Sequence, residues 1–270
     1  MKIVICAKEV RDPDAVDNYV LHGKLEIGTD GKTLTQTSIP RLMNAYDEQA
    51  IEAALRLRDK GLQCLIHVIS IGTDPSNILR HAAALGADEI VHIAVDAESI
   101  DGSATAALLA GYIRSIGGAD LVLCGRQASD DDQGVVPALL GETLGMPIIT
   151  VARAVELVQS DPATVRVTRV TPNGDELVEA TCPAVVTISN ELGTPRYPIT
   201  ARTMKARRMK PTVLSVEQLG LQPDHIRPLV TLTRQFVSTV QGHCEFISGN
   251  GPAEFAQGLV GRLREARVLN

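Results

Sequence analysis

The sequence predicts an α/β fold: an open, mostly parallel β-sheet with helices on both faces, followed by an extended C-terminal arm. Three observations predict it. Over the first 190 residues, short runs rich in valine, isoleucine and leucine alternate with helix-like stretches of about ten residues or more. The short runs are mostly apolar, as in strands that are buried on both faces. Tryptophan is absent and aromatic residues make up only 3% of the chain, so aliphatic side chains must fill the core.

The strands are predicted from apolar runs bounded by charged or turn-forming residues. The predicted buried strands are Lys2–Ala7, Leu65–Ile71, Glu89–Val95, Leu121–Cys124 and Ala184–Ser189. Paired runs around turn sequences predict two hairpins, Lys24–Ile27 with Thr33–Thr37 and Val165–Val170 with Glu176–Ala180.

The helices are predicted where apolar residues recur at intervals of three and four. Ile51, Ala54 and Leu55 show this spacing, and Gly61 ends that helix. The predicted helices are Glu48–Lys60, one from Asp74-Pro75-Ser76 to Gly86, Asp101–Ile116, Val136–Leu144 and Ala253–Arg267. Between Asn190 and the last helix, the chain is predicted to be irregular and basic.

Charge divides the chain into two parts. The whole chain carries 26 basic and 32 acidic residues, a net charge of −6, which argues against a nucleic-acid-binding protein. Residues 201–270 hold ten basic and five acidic residues, a net of +5, which leaves −11 for residues 1–200. This asymmetry favours an α/β domain over 1–195 and a partner-binding arm over 196–270. The basic run from Arg202 to Lys210 is either a solvated face or a docking surface for an acidic partner.

The sequence predicts a cytoplasmic protein. No apolar run approaches the roughly 18 residues that span a bilayer, and the opening apolar stretch is short for a signal peptide. The five cysteines are far apart and form no CxxC pair, so neither a disulfide framework nor a zinc site is expected. The histidines show no metal-ligand spacing, no serine lies in a GxSxG motif, and no catalytic residue is assigned.

The segment from Leu121 to Pro137 is the most informative for function, because a strand ends in Gly125 and a polar loop then leads into a helix. Ligands of parallel sheets bind beyond the carboxyl ends of the strands, and N–H groups at a helix start favour phosphate. The carboxylates of Asp130, Asp131 and Asp132 would repel phosphate, so backbone N–H groups would have to bind it. The alternatives are an acidic, well-capped loop, or a Mg²⁺ site of a phosphotransferase.

A second informative segment is Arg41–Ala50, at a loop–helix junction. Asn44 or Asp47 can cap the helix that follows. Tyr46 is one of only four tyrosines, and it is either a core residue or a ring beside a ligand.

Together these segments resemble the β subunit of electron transfer flavoprotein. The resemblance rests on the Ile3–Lys8 strand, the Asn44–Ala50 junction, the Gly125–Asp132 loop, the hairpin that leads to Cys182-Pro183, and Pro195-Arg196-Tyr197 with Met204-Lys205-Ala206. It covers roughly residues 1–215. It implies a Rossmann-like fold and a heterodimer with an α subunit that holds most of an FAD. Such a pair carries electrons from acyl-CoA-type dehydrogenases of fatty acid oxidation to a membrane quinone oxidoreductase.

The resemblance also implies a bound nucleotide, AMP or, in bifurcating members, a second FAD. Asp131 and Gln133 stand where bifurcating members often carry smaller residues, which favours AMP. The residues implied in cofactor binding are Cys6, Ala7, Lys8, Asn44, Ala45, Tyr46, Asp47, Ile71, Gly72, Gly125, Arg126, Gln127, Asp130, Asp131, Asp132, Gln133, Gly134, Val135 and Val136. Tyr46 matches an aromatic position near the flavin ring.

Partner dehydrogenases grip the segment after Pro195-Arg196-Tyr197 in this family, through an exposed leucine. Thr200 stands at that position here, and Ile199 beside it can serve instead. The implied docking residues are Arg196, Tyr197, Ile199, Thr200 and Lys205. The rival interpretation is a stand-alone adenine-nucleotide-binding module that needs no partner.

Overall fold

The computed structural model describes residues 1–17, 26–35, 39–236 and 244–269. By their contacts they form two compact units, Met1–Gln235 and Phe236–Asn270. The elements are β1 (Lys2–Cys6), β2 (Glu9–Arg11), α1 (Pro13–Asp17), β3 (Arg41–Met43), α2 (Ala45–Asp59), β4 (Leu65–Gly72), α3 (Ser76–Leu85), β5 (Glu89–Ala94), α4 (Gly102–Ser115), β6 (Leu121–Gly125), α5 (Val136–Leu144), β7 (Ile148–Ser160), β8 (Ala163–Thr171), β9 (Gly174–Thr181), β10 (Ala184–Ile188), α6 (Thr200–Ala206), β11 (Thr212–Leu214) and α7 (Pro252–Glu265).

A nine-stranded sheet organises the first unit, in the order β11-β5-β4-β1-β6-β10-β7-β8-β9. The strands from β11 to β7 are parallel to their neighbours, and β8 and β9 continue the sheet as antiparallel hairpin strands. The predicted α/β class with a mostly parallel sheet is therefore confirmed.

Two apolar layers enclose the sheet. One face packs against α2 and α3, whose Ile51, Leu55 and Leu79 are buried. The other face packs against α4 and α5, whose Leu108 and Leu140 are buried. The central strands are buried on both sides, which explains why their sequences are almost entirely apolar.

Strand order places a switch point between β1 and β6. From β1 the chain first adds β4 and β5 on one side, and β6, β10 and β7 then lie on the other. The loops that follow β1 and β6 therefore leave the sheet in opposite directions and open a crevice at its carboxyl edge. Several of the residues that the sequence singles out, among them Lys8, Gly125 and Arg126, lie at or after the ends of these strands.

The predicted helices and buried strands are present, and their ends differ from the predicted ends by three residues or fewer. Of the first predicted hairpin, Ile27 pairs with Leu34, while residues 24, 25, 36 and 37 lie outside the described residues. The prediction of irregular chain after Asn190 is wrong, because α6 and β11 lie there. Both are short, and α6 buries only Ala206, so neither leaves a periodic apolar pattern.

The long strand β7 was also missed by the sequence interpretation. Its first half pairs with β10 and its second half with β8, with register shifts in both pairings. The strand therefore changes from a buried to an exposed environment along its length. A single apolar period cannot describe such a strand.

The second unit is small, and its described part holds α7 and the segment before it. No residue of α7 is buried, although Phe255 and Leu259 form an apolar face. Arg262 on this helix forms ion pairs with Glu245 and Glu265. The unit therefore has almost no core of its own among its described residues.

Candidate functional site

Three segments meet at the carboxyl edge of the sheet: the end of β1, the junction before α2, and the loop that follows β6. The backbone N–H of Ala7 donates to Ile69 O on β4, at 2.8 Å, so the chain still follows the sheet there. Lys8 is the first residue to leave it. The structure thus brings together most of the residues that the sequence predicts for a nucleotide site.

Asn44 joins these three segments through its buried side chain. Its backbone N–H donates to Lys8 O at 3.0 Å, and its Nδ2 donates to Gln127 O at 2.8 Å. Its Oδ1 accepts from the N–H of Ser129 at 3.3 Å. Asn44 holds the N-cap position of α2 but makes no capping hydrogen bond with its side chain. The predicted capping role of its side chain is therefore wrong, because the amide binds the neighbouring loop instead.

Asp47 ties the ends of β1 and β6 together. Its Oδ2 accepts from the N–H of Lys8 at 2.8 Å, and its Oδ1 accepts from the N–H of Gly125 at 3.0 Å. The carboxyl group is buried, and burial raises its pKa to about 7 although both backbone donors favour the charged form. Asp47 is therefore a structural clamp whose charge changes near neutral pH.

We expect this clamp to make stability depend on pH. The pKa of Asp47 is about 7 in the folded chain and ordinarily 3.8. Between these values the folded state binds more protons than the unfolded state, so this residue lowers the free energy of unfolding as pH rises from 4 towards 7, by about 3 kcal/mol. Urea unfolding at pH 5 and pH 8 measures the change, and Asp47→Asn should flatten it.

The control for this measurement is Asp175→Asn, which removes an exposed carboxylate from the hairpin turn. That variant should keep the pH dependence of the natural chain. Parallel profiles for the natural chain and Asp47→Asn would contradict the assignment.

Glycine is required at the end of β6. A Cβ on Gly125 would overlap Oδ1 of Asp47 and would lie 2.7 Å from Cβ of Tyr46. Gly134 has a positive φ of 61°, and a Cβ there would lie 2.8 Å from Arg126 O. Both positions need close backbone approach, so the loop around them is tightly folded.

The three aspartates of the loop have partners within the chain. Lys8 Nζ lies 2.7 Å from Asp130 Oδ1 and 3.2 Å from Asp131 Oδ2. These carboxylates raise the pKa of Lys8, although burial acts in the opposite direction and is the largest single influence. Asp132 Oδ1 accepts from Gln127 Nε2 at 2.7 Å. The acidic side chains are thus directed towards Lys8 and Gln127, which leaves the backbone to face an anion.

Backbone donors are available where the loop enters α5. Among the described residues, the N–H groups of Gly134, Val135 and Val136 donate no hydrogen bond. Pro137 follows in the first turn, where a helix does not need its N–H. This donor set suits the phosphate of a nucleotide. The residues present therefore fit the group that the sequence predicts.

Tyr46 is half-buried at the start of α2, beside Arg126. The Arg126 guanidinium carbon lies 5.6 Å from the centre of the Tyr46 ring, which is a cation–π distance. Arg126 also donates from Nε to Gln127 Oε1 at 3.2 Å and from Nη1 to Ser189 Oγ at 3.4 Å. The sequence interpretation missed Ser189, because a serine at a strand end carries no pattern of its own.

The remaining predicted cofactor residues line the strand ends. Cys6 and Cys124 are neighbours on β1 and β6. The hydrogen bond from Cys6 and burial raise the pKa of the Cys124 thiol, which disfavours its thiolate form. Ile71 packs towards the α4 face, and Gly72 O accepts from His92 Nε2 at 2.7 Å. Ala45 is exposed beside the crevice.

A cleft of about 250 Å³ lies between this loop and the starts of α5 and β7. Gln133, Gly134 and Thr150 are among its lining residues. A larger cleft of about 570 Å³ lies between the end of α2 and β7. The larger cleft contains none of the predicted residues, and the Lys60–Glu156 ion pair crosses it. The chemistry of the donors, and not the volume, therefore identifies the site.

The predicted docking residues lie on one exposed segment that ends in α6. Tyr197 is 87% exposed and Ile199 is 59% exposed. Thr200 begins α6, and Lys205 lies in its last turn. The guanidinium of Arg196 is directed inward, onto Glu52 and Asp59 of α2.

No group of three or more His, Cys, Asp or Glu side chains among the described residues is arranged to hold a metal ion. No helix in that part of the chain is long and apolar enough to cross a membrane.

Comparison with known proteins gives matches to a single family. Residues 32–219 match the family model for the electron transfer flavoprotein domain. The caffeyl-CoA reductase-Etf complex subunit CarD of Acetobacterium woodii is 31% identical over 274 residues, covering 100% of both chains. Electron transfer flavoprotein subunit beta of Mycobacterium tuberculosis is 31% identical over 205 residues, covering 73% of this chain and 76% of the relative. The subunit beta of Thermoanaerobacterium thermosaccharolyticum is 31% identical over 279 residues, covering 100% of both.

Proposed function

The chain belongs to the electron transfer flavoprotein family as a β subunit, and we propose that it works with an α subunit as an electron carrier. In this proposal the pair takes electrons from acyl-CoA-type dehydrogenases of fatty acid oxidation and passes them to a membrane quinone oxidoreductase. FAD, shared with the α subunit, supplies the redox chemistry when it is bound. The proposed location is the cytoplasm, where the five free cysteines would stay reduced.

The observation that carries the proposal is the crevice at the switch point between β1 and β6. It offers unpaired backbone N–H groups at the start of α5, and its described residues contain no arrangement of a nucleophile with a base. Such a site suits a nucleotide that is held and not converted. We propose that AMP binds there, with its phosphate on Gly134, Val135 and Val136 and its remaining contacts along the strand ends.

The side chains of the site then have positioning roles. Asn44 and Asp47 hold the three segments in one arrangement, so the phosphate donors need no reordering when the nucleotide binds. Tyr46, with Arg126 over its ring, is the residue proposed to face the flavin ring of the α subunit. The proposed roles of this chain are thus to bind and to orient the nucleotide and the flavin.

The experiment that tests the function is a count of nucleotides. The chain is expressed alone and together with an α subunit, and each product is denatured to release its nucleotides. We expect a nearly colourless single chain, and a yellow heterodimer that releases FAD and AMP in equal amounts. A lone chain that retains stoichiometric FAD, or that converts its nucleotide without a partner, would contradict the proposal and favour the stand-alone module.

A second candidate is a subunit of a bifurcating complex with two FAD molecules. It is favoured by the alignment over the full length of both chains with a relative named as a subunit of a reductase-Etf complex. Asp131 and Gln133 argue for AMP, because their side chains occupy part of the loop. The same count decides between the two: two FAD and no AMP per heterodimer would establish the second candidate.

The charge of the loop gives a prediction about affinity. Asp131 lies on Lys8 beside the proposed phosphate position, and its carboxylate repels an anion. Asp131→Asn removes the charge but keeps an oxygen for the N–H of Gln133. We expect AMP to bind about three- to tenfold more tightly, with a larger effect at low ionic strength. Isothermal titration of AMP into nucleotide-free heterodimer measures this change.

The matched control is Glu179→Gln on the hairpin, which removes one negative charge far from the loop. It should leave AMP affinity unchanged. Equal affinities of the natural heterodimer and the Asp131→Asn variant would place the phosphate elsewhere.

A further inference from the structure

We propose that Arg196 is a positioning residue that holds the docking segment, residues 195–200, against α2, and that it is not itself a contact to the partner. The inference rests on the proposed function for the role of the segment, but its structural part stands on the contacts within this chain. It assigns the inward-facing Arg196 a role that differs from that of its exposed neighbours Tyr197 and Ile199.

Arg196 makes hydrogen bonds to two carboxylates of α2. Its Nε donates to Glu52 Oε2 at 2.7 Å, and its backbone N–H donates to the same oxygen at 3.2 Å. Its Nη2 donates to Glu52 Oε1 at 3.3 Å and to Asp59 Oδ2 at 2.7 Å. The guanidinium therefore binds both oxygens of the Glu52 carboxylate, which fixes the orientation as well as the position of the Arg196 side chain.

The acceptor is a buried carboxylate. Glu52 is 6% exposed, on the face of α2 that packs into the protein. Burial raises its pKa, but the hydrogen bonds from Arg196 and Arg56 outweigh this and lower the pKa below its usual value. Arg56 also donates to Leu192 O at 2.8 Å, just before the docking segment. A buried charge of this kind needs its partners, so the ion pair constrains the segment strongly.

A second anchor holds the other end of the segment. Ala206 of α6 is buried against α3, and Arg202 Nη1 donates to Leu85 O at the end of α3 at 3.1 Å. Arg80 Nε donates to Met209 O at 3.3 Å. The docking segment is thus held by α2 at one end and by α3 at the other. Its two largest apolar side chains, Tyr197 and Ile199, are exposed to solvent.

The partner surface that fits this segment is an apolar pocket with an acidic rim, on the partner dehydrogenase. Tyr197, Ile199 and Met204 are exposed apolar side chains, and the basic residues Lys205 and Arg207 follow in the same element or directly after it. A segment that is already held in its docked shape loses less conformational freedom on binding. Loss of the Arg196 anchor should therefore raise KM for the partner and leave kcat unchanged.

Two variants separate positioning from direct contact. Arg196→Gln removes the guanidinium, and Glu52→Gln removes the internal carboxylate without changing any partner-facing group. If Arg196 positions the segment, both variants weaken docking to a similar extent, and the double variant is no worse than either single one. If Arg196 contacts the partner directly, Glu52→Gln has little effect. Arg196→Lys should restore part of the natural behaviour, because it keeps the charge without the fork.

The experiment uses the heterodimer with its α subunit and has two readouts. Hydrogen–deuterium exchange reports the order of residues 195–200, and steady-state kinetics with a purified acyl-CoA dehydrogenase reports KM and kcat. We expect Arg196→Gln and Glu52→Gln to speed exchange in the segment at least tenfold and to raise KM about tenfold, with kcat within twofold of the natural value. Arg166→Gln, which breaks the exposed pair with Glu179, is the matched control and should change neither readout.

Unchanged exchange in Arg196→Gln would overturn the inference, as would a raised KM in Arg196→Gln with a natural KM in Glu52→Gln. Ile199→Ser tests the docking role separately, because it alters the exposed surface and not the anchor. If Ile199→Ser leaves KM unchanged, the segment is not the dehydrogenase site and the proposed function fails there, while the exchange measurement still decides whether Arg196 orders the segment.

Discussion

Replacing Gly125 with alanine is expected to abolish AMP retention by the heterodimer and to lower the free energy of unfolding by about 3 kcal/mol. The added Cβ would overlap Oδ1 of Asp47 and would lie 3.0 Å from the backbone nitrogen of the same residue. Both neighbours are backbone or buried atoms that cannot move aside. The end of β6 would therefore shift away from α2, and the N–H of Gly125 would lose its acceptor.

Two measurements check this result: the AMP released on denaturation, and urea unfolding of the chain. Gly72→Ala is the steric control for unfolding, because its Cβ would meet nothing closer than Pro75 at 3.7 Å. That control should unfold at nearly the natural urea concentration. A Gly125→Ala heterodimer that retains stoichiometric AMP would show that the clamp between β1 and β6 is not needed for the site.

Ending the chain at Gln235 is expected to leave the sheet folded and to weaken association with the α subunit at least about 100-fold. The first compact unit ends at that residue, so every strand of the sheet is kept. The part removed contains α7, and none of the residues of this helix is buried. Its apolar side chains Phe255 and Leu259 are 45% and 48% exposed. We propose that this apolar face is covered by the α subunit.

Co-purification with a tagged α subunit measures the association, and far-ultraviolet circular dichroism with urea unfolding confirms that the first unit is folded. A chain that ends at Thr200 is a poor substitute, because it lacks α6 and β11, and β11 pairs with β5. Phe255→Ser with Leu259→Ser keeps the chain length and should weaken association in the same direction. Normal association of the shortened chain would assign the heterodimer interface to the first unit alone.

The helices and buried strands could be predicted because each carries a local pattern. Leu121–Gly125 is apolar at every position, and Val136–Leu144 has a proline in its first turn. Elements without such a pattern were missed: β7 changes partner halfway, and α6 buries a single alanine. Their conformation depends on neighbours that are distant in the sequence.

In the candidate site, too, some features follow from local sequence and others depend on residues that are distant in the sequence. Gly125 and the aspartates that follow it could be singled out from their place after a buried strand. The partners of the site residues could not: Asn44 binds Gln127, and Lys8 binds Asp130, across 83 and 122 positions of sequence. Glu52 offered one signal, a charged residue within the apolar run Ile51–Leu55, and the partner of that charge lies 144 positions away.

The sequence by itself determined the parallel α/β architecture, the position of the loop after β6 and the charge asymmetry between the two ends of the chain, because these follow from local periodicity and composition. Only the tertiary structure decided that Asn44 binds a loop instead of capping its helix, that the pKa of Asp47 rises to about 7, and that Arg196 faces inward. The physical reason is that hydrogen bonds and burial depend on distance in space, which the strand order establishes when it brings β1 and β6 side by side.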